Sequence, residues 1–162
     1  MKARAGAMTL DELLNKAAAR FGPRILKVDK KSGKRAYIDI YPKDIVEMTT
    51  FLFKDEGLRF NIASAVDDFS GFEILYHFSL DASGFILTVR ALIGDKQDPH
   101  IDTITKVTRS AWWIEREIHE LFGINFNGND DLRTLLLPDD WPAGVYPMRK
   151  DFVAPKRESR KA

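Results

Sequence analysis

The 162-residue sequence contains no cysteine. That absence excludes thiolate-held iron–sulfur clusters, cysteine-ligated zinc, c-type haem attachment, thiol nucleophiles and disulfide scaffolds together. No apolar run approaches the roughly 18 residues a bilayer-spanning helix needs, and Met1 to Met8 lacks the apolar stretch of a signal peptide, so the chain reads as soluble and cytoplasmic. Charge of one sign is also in short supply. Lys plus Arg number 25 against 24 Asp plus Glu, a net charge of +1, far from the surplus of a typical nucleic-acid binder. Neither G-x-G-x-x-G nor G-x-x-x-x-G-K-[ST] occurs, which removes the usual phosphate-cradling loops, and no G-x-S-x-G elbow offers a serine nucleophile. Histidine is scarce. His77 falls in a strand, His100 in a loop and His119 on the last helix, so no metal-ligand spacing emerges. Glu115 and His119 stand one helical turn apart but lack the Glu-x-x-His spacing of di-iron bundles, and they read as an exposed helical pair. The paired acids Asp67-Asp68, Asp130-Asp131 and Asp139-Asp140 read as turn residues, with no apolar pocket to raise a catalytic pKa.

What is present is ordinary globular material: 44% hydrophobic and 11% aromatic residues. A chain of this length buries about 70% of its unfolded surface and needs no staple. Thr9 with Glu12 forms a capping box ahead of Leu10, Leu13, Leu14, Ala17, Ala18 and Phe21, which predicts an amphipathic helix ending before Gly22. Ile25 to Val28 and Ala36 to Ile40 flank the charged turn Lys30 to Lys34, a hairpin pattern. Ile45, Val46, Met48, Phe51 and Leu52 mark a second helix with Gly57 as its C-cap. Three strands follow, near Phe60 to Val66, Phe72 to Leu80, and through Phe85, Leu87 and Val89. The last helix is expected from Asp102 to Phe122, capped by Asp102 or Thr103 and stopped by Gly123. The order α-ββ-α-βββ-α predicts an α+β fold, a mainly antiparallel mixed sheet packed by helices and followed by an irregular C-terminal arm. Residues 1–8 read as a flexible N-terminus, 9–126 as the α+β domain, and 127–162 as an extended arm with a basic tail.

Along the last helix, Val107, Ala111, Ile114, Ile118, Leu121 and Phe122 share one arc, the expected core stripe. Trp112 and Trp113 fall outside it among Glu117, Glu120, Arg116 and His119. Two readings stand: a sheet or loop of the same chain covers them, or aromatics and Arg among polar neighbours form a contact surface for another protein. Arg116 with Glu120 also has the spacing of a solvated i,i+4 ion pair.

Residues 111 to 152 carry a longer signature: Trp113, Glu115-Arg116-Glu117, Leu121-Phe122-Gly123-Ile124, Gly128, Asp131-Leu132-Arg133, Leu135 to Trp141 with Pro138 and Asp139, Pro147, and Arg149-Lys150-Asp151-Phe152. This string resembles the 30 kDa (C-type) subunit of respiratory complex I, the NADH-quinone oxidoreductase, shared with counterparts in complex I-related membrane-bound [NiFe] hydrogenases. Tyr76-His77 in the upstream strand is similar too. The chain departs from that pattern at Glu120, where Asp is usual, at Asn129-Asp130, where His-Pro is usual, and at Thr134, often Arg.

The resemblance implies a cofactor-free subunit of the peripheral arm, on the cytoplasmic face of the membrane. It would have no catalysis of its own and would scaffold the large subunit (49 kDa-type or Ni-Fe hydrogenase-like) that lines the quinone or Ni-Fe site, beside neighbouring peripheral-arm subunits. The motif residues become interface candidates: Trp113, Glu115, Arg116, Glu117, Gly123, Asp131, Arg133, Pro138, Asp139, Trp141, Arg149 and Lys150. The arm agrees with this role. Its glycines and prolines break regular structure while Leu135, Leu136, Leu137, Trp141 and Phe152 need burial, as in an arm laid along a partner. Arg133, Arg149 and Lys150 are expected to meet acidic groups, and the chain from about Ala154 to be mobile. A stand-alone enzyme is one rival. A nucleic-acid-binding or other interaction module using the basic tail is another, but it would need aromatics exposed on strands beside Lys and Arg.

Overall fold

The computed structural model describes residues 8–154. Thr9 caps helix α1 (Leu10–Phe21): its hydroxyl accepts from the Glu12 amide while the Glu12 carboxylate accepts from the Thr9 amide, so two orphan donors are satisfied reciprocally. Strands β1 (Ile25–Ser32) and β2 (Arg35–Ile40) form the expected hairpin. Helix α2 (Ile45–Thr50) widens into a π-helical turn, Phe51–Asp55, and Gly57 adopts the left-handed conformation that ends it, φ +69°. Strands β3 (Arg59–Asp68), β4 (Gly71–Leu80) and β5 (Phe85–Ile93) form an antiparallel meander.

The five strands make one sheet in the order β1-β2-β5-β4-β3, and only the β2–β5 pair is parallel. The architecture is therefore α+β with a mainly antiparallel mixed sheet. Strand alternation sorts the side chains. Ile38, Ile40, Phe60, Phe72, Ile74, Tyr76, Phe78, Phe85, Leu87 and Val89 are buried with Leu13, Phe21, Met48, Leu52 and Phe122 from the helices. Edge-to-face contacts such as Phe21–Phe51 and Phe72–Phe122 tie helix to helix and helix to sheet. The strand aromatics Phe60, Phe72, Tyr76, Phe78 and Phe85 are buried, whereas Tyr37 on β2 is half-buried, with the Arg35 and Arg90 guanidiniums 5.4 and 5.1 Å from its ring centroid.

The last helix differs from its expected span. Helix α3 is Trp112–Phe122, entered through a short 3-10 turn, Arg109–Ala111, and ended by Gly123 at φ +71°. Residues His100–Asp102 instead form strand β6, paired in parallel with β7 (Asn125–Asn127). The reason lies in composition: Ile101, Thr103, Ile104, Thr105, Val107 and Thr108 are β-branched and lose side-chain freedom in a helix. Thr103 is engaged elsewhere, as described below, and does not cap the helix. Strand β7 also lies where the sequence pattern suggests only irregular chain. Beyond Asn127 no strand or helix is formed up to Ala154. The expected flexible N-terminus, up to residue 7, and the basic tail carrying Lys156, Arg157, Arg160 and Lys161 lie outside the described residues.

Candidate functional site

Helix α3 buries its apolar stripe, Ile118 and Phe122 with half-buried Ile114 and Leu121, against the domain. It also buries Glu115, Arg116 and Glu120. A buried charge without a partner is costly, so each of these three must be satisfied inside the protein. All three are, and the partners lie mostly in the main chain of neighbouring segments.

Glu115 accepts from the Thr103 hydroxyl at 2.5 Å, the Ile104 amide at 2.8 Å and Asn129 Nδ2 at 2.8 Å. It thereby ties α3 to the end of β6 and the start of the arm. Burial pushes its pKa above the ordinary value, outweighing the hydrogen bonds that oppose the rise. Tyr76 lies fully buried under the influence of this carboxylate, with its hydroxyl unpaired and its pKa raised by burial and by the Glu115 charge. The Glu115–His119 pair read from the sequence is not an exposed one. Glu115 is buried, and His119 Nδ1 contacts the Ile124 carbonyl at 2.9 Å.

Next along the helix, Arg116 donates through Nε to the Arg133 carbonyl at 3.1 Å and through Nη2 to the Thr134 carbonyl at 2.9 Å. Its guanidinium also sits over Trp112 and Trp113, 5.2 and 5.4 Å from the ring centroids. Glu120 accepts from three successive amides, Leu135 at 2.8 Å, Leu136 at 2.7 Å and Leu137 at 3.4 Å. The solvated Arg116–Glu120 ion pair suggested by spacing is therefore not made. A cation holds two arm carbonyls, an anion holds the amides that follow them, and the two side chains fix the arm's direction across the helix.

The lower arm is fastened as firmly. Arg149 Nε donates to the Phe122 carbonyl at 2.6 Å, and its guanidinium lies over Phe72 and Tyr146 at 4.9 and 4.5 Å. A cation against the last carbonyls of a helix also meets the negative end of its dipole. Gly123 allows this approach: a Cβ there would lie 2.4 Å from the Tyr146 ring and 2.7 Å from Arg149. The Met148 amide donates to the Leu121 carbonyl, and the Lys150 amide to Asp67 at 2.8 Å. Trp141 donates its indole N–H to the Val145 carbonyl and stacks on Phe152, closing a small loop. Of the three cations expected to meet acids, Arg133 pairs with Asp131 two residues before it, at 2.7 Å. Arg149 finds a carbonyl and two rings, and Lys150 meets Asp67 through its backbone.

The burial of this layer is inverted. In residues 133–137 the main chain turns inward to Arg116 and Glu120, while Leu135 and Leu137 are only half-buried and Leu136 is 61% exposed. Trp113 is 57% exposed and Trp112 half-buried, so the arm does not cover the tryptophan pair. Among the other motif residues, Glu117 is half-buried, Pro138 and Asp139 are exposed, and Asp131 is held well below the usual carboxylate range by Arg133. Sequence reasoning misses the roles of Asp67 and Asn129, which depend on segments far away in the chain. It also misses Phe69, although a lone aromatic between Asp68 and Ser70 in a turn is a usable signal. Among the described residues no three His, Asp or Glu side chains come together to hold a metal ion.

Fold and site together define a class: an α+β domain with helices on one face of a mixed sheet, carrying a C-terminal arm bound through its main chain to its last helix. Residues 38–158 match the family model of the 30 kDa subunit of respiratory-chain NADH dehydrogenase, and the chain belongs to that family. It is 32% identical over 155 residues to the C-type subunit of NADH-quinone oxidoreductase from Geobacter sulfurreducens, covering 90% of this chain and 92% of that one. It is 32% identical over 148 residues to the corresponding Salinispora arenicola protein, covering 87% of this chain but spanning only 59% of that relative. A combined C/D-type subunit of the same oxidoreductase from Yersinia pestis bv. Antiqua is 29% identical over 159 residues, covering 89% of this chain and 26% of that one. Two solved structures share the fold at 24% sequence identity. A chain of the membrane-bound sulfane sulfur reductase, an archaeal respiratory membrane complex, superposes with a TM-score of 0.76 over 88% of this chain and 85% of its own length. A trypsin-resistant fragment of Nqo5 superposes with a TM-score of 0.63 over 76% of this chain and 98% of its own length. No helix among the described residues is long and apolar enough to cross a membrane.

Proposed function

We propose that this protein is a non-catalytic, cofactor-free subunit of the cytoplasmic peripheral arm of a complex I-like oxidoreductase. It acts as a scaffold for the large subunit, the D-type or Ni-Fe hydrogenase-like partner, beside other peripheral-arm subunits. Family membership supports the assembly, and the combined C/D-type relative supports the choice of partner.

The observation that carries the scaffold role is the inverted burial over α3. A segment that hides its main chain and turns leucines outward loses hydrophobic stabilisation on its own, and regains it when a second surface covers those side chains. Trp113 and Leu136 are the exposed anchors, and Arg116 and Glu120 are positioning residues that hold them in place. Rigidly presented aromatic and aliphatic groups lose little entropy on binding, which suits a permanent interface.

The test is co-purification of this chain with the large subunit expressed from the same cells. Trp113→Ala should lower recovery of the partner about tenfold, the effect of losing about 1.4 kcal/mol of binding. Its melting temperature should stay close to wild type, because the side chain is more exposed than buried. A fall in the free protein's stability of about 3 kcal/mol, as for a core aromatic, with recovery unchanged, would place Trp113 in the core and remove the interface.

A further inference from the structure

Three segments far apart in the sequence meet beside the lower arm. Asp67 lies near the end of β3 and Phe72 near the start of β4, Lys96 follows β5, and Arg149, Lys150 and Asp151 belong to the arm. Together they line a cleft of about 180 Å³. At about 30 Å³ per water molecule, that is room for roughly six waters or one tetrahedral oxyanion. Arg149 and Asp151 also line a neighbouring cleft of about 220 Å³, with Tyr146. Polar groups converging on a concavity from distant segments are the composition of a ligand site.

The charges lining the first cleft are unevenly matched. Asp67 is buried and satisfied, accepting from Lys96 Nζ at 2.5 Å and from the Lys150 amide at 2.8 Å. Arg149 uses only Nε within the described residues, on the Phe122 carbonyl at 2.6 Å. Its guanidinium lies against the Phe72 and Tyr146 rings, 4.9 and 4.5 Å from their centroids. The Nη1 and Nη2 donors therefore form a fork held in one orientation, with no protein acceptor among the described residues. The Lys150 ammonium rests 4.3 Å from the centroid of Phe69, at the tip of the β3–β4 turn, and among the described residues has no carboxylate within ion-pair distance. Asp151 likewise pairs with no cation among the described residues.

Two unmatched cations beside one unmatched carboxylate select for an anion that also carries a proton to donate. Phosphate at neutral pH is such an anion. Its bare oxygens accept from the Arg149 fork and the Lys150 ammonium, while its P–OH donates to Asp151. Sulfate has the same shape but no proton, so one of its oxygens must face the Asp151 carboxylate unpaired. A phosphodiester, as in a lipid headgroup, has no P–OH either.

We propose that this cleft binds phosphate, free or as a phosphomonoester, through Arg149, Lys150 and Asp151. The site is separate from the surface at Trp113 and Leu136 and does not depend on the scaffold reading. Because its donors come from the arm and its floor from β3 and β4, bound phosphate fastens the lower arm to the sheet.

The test is titration of the full-length chain with sodium phosphate at neutral pH and constant ionic strength, followed by amide chemical shifts. Saturable shifts are expected at Gln97, Lys150 and Asp151, and none at Leu136. Sodium sulfate should need at least about tenfold more to reach half-saturation, and Asp151→Asn should erase that preference. Lys150→Gln keeps the backbone amide on Asp67, so it should raise the half-saturating phosphate concentration about tenfold with an unchanged melting temperature. Phosphatidylglycerol vesicles should not displace phosphate, whereas a soluble phosphomonoester should. Shifts that never saturate, equal binding of phosphate and sulfate, undiminished binding in Lys150→Gln, or displacement by the vesicles would each overturn the proposal.

Discussion

Replacing Glu120 with Ala should release the arm while leaving the domain folded. The carboxylate is buried and accepts two short amide bonds, from Leu135 and Leu136, and one longer bond from Leu137. A hydrogen bond to a charged acceptor contributes about 1.5–3 kcal/mol, so the two short bonds together hold the segment by about 3–6 kcal/mol. Part of this is recovered when the freed amides bind water, leaving a net loss of about 3 kcal/mol, or roughly a hundredfold in the opening equilibrium. The assay is amide hydrogen exchange under native conditions, read residue by residue. Protection at Leu135 and Leu136 should fall about a hundredfold, with a smaller loss at Leu137, while Tyr76 and Val89 in the central strands exchange as in wild type. A uniform fall across arm and strands would show that Glu120 supports the core rather than the arm. No change at Leu135 and Leu136 would show that the clamp is not what holds them.

Gly123→Ala forces a Cβ into a left-handed residue and into the space of Tyr146 and Arg149, so it should cost about 2–4 kcal/mol, visible as a lower denaturation midpoint and as easier proteolysis between Val145 and Phe152. Glu115 gives a pH dependence of known sign. Its folded pKa is raised, so the folded state keeps a proton that the unfolded chain releases, and its contribution to stability falls as pH climbs from the ordinary value of 4.5 to the raised one. In Glu115→Gln that decline should be absent, and denaturant titrations of both proteins across about pH 4–8 should differ in slope at the lower end; equal slopes would mean that Glu115 titrates normally.

How much of the fold and site is legible in the sequence depends on the range of the forces involved. The capping box at Thr9 and Glu12, the alternation along Phe72–Leu80, and the glycine stop at Gly123 act within a few residues, and the sequence states them directly. Composition likewise excludes thiolate chemistry and a membrane-spanning helix, and the ordered string from Trp113 to Phe152 points to the family. The start of the last helix is misleading, because the charges and caps around Asp102 and Thr103 resemble a helix entrance. The β-branched run favours a strand and turn once β7 is there to pair with β6. The charged face of α3 is the larger departure. Local spacing offers Arg116 and Glu120 each other as partners, whereas the tertiary structure gives them a main chain 15 to 18 residues further along. No periodicity encodes that choice, because it arises only when the arm's carbonyls and amides come within reach and a buried charge must be satisfied. Asp67 meeting Lys150 across 83 residues is the same case at longer range. Local pattern thus settles most of the elements, though not β6, β7 or the start of α3, and it points to the family and to the residues worth watching. Which of those residues hold the arm and which face outward is settled by the folded chain alone, since desolvation and long-range hydrogen bonding act on what folding brings together.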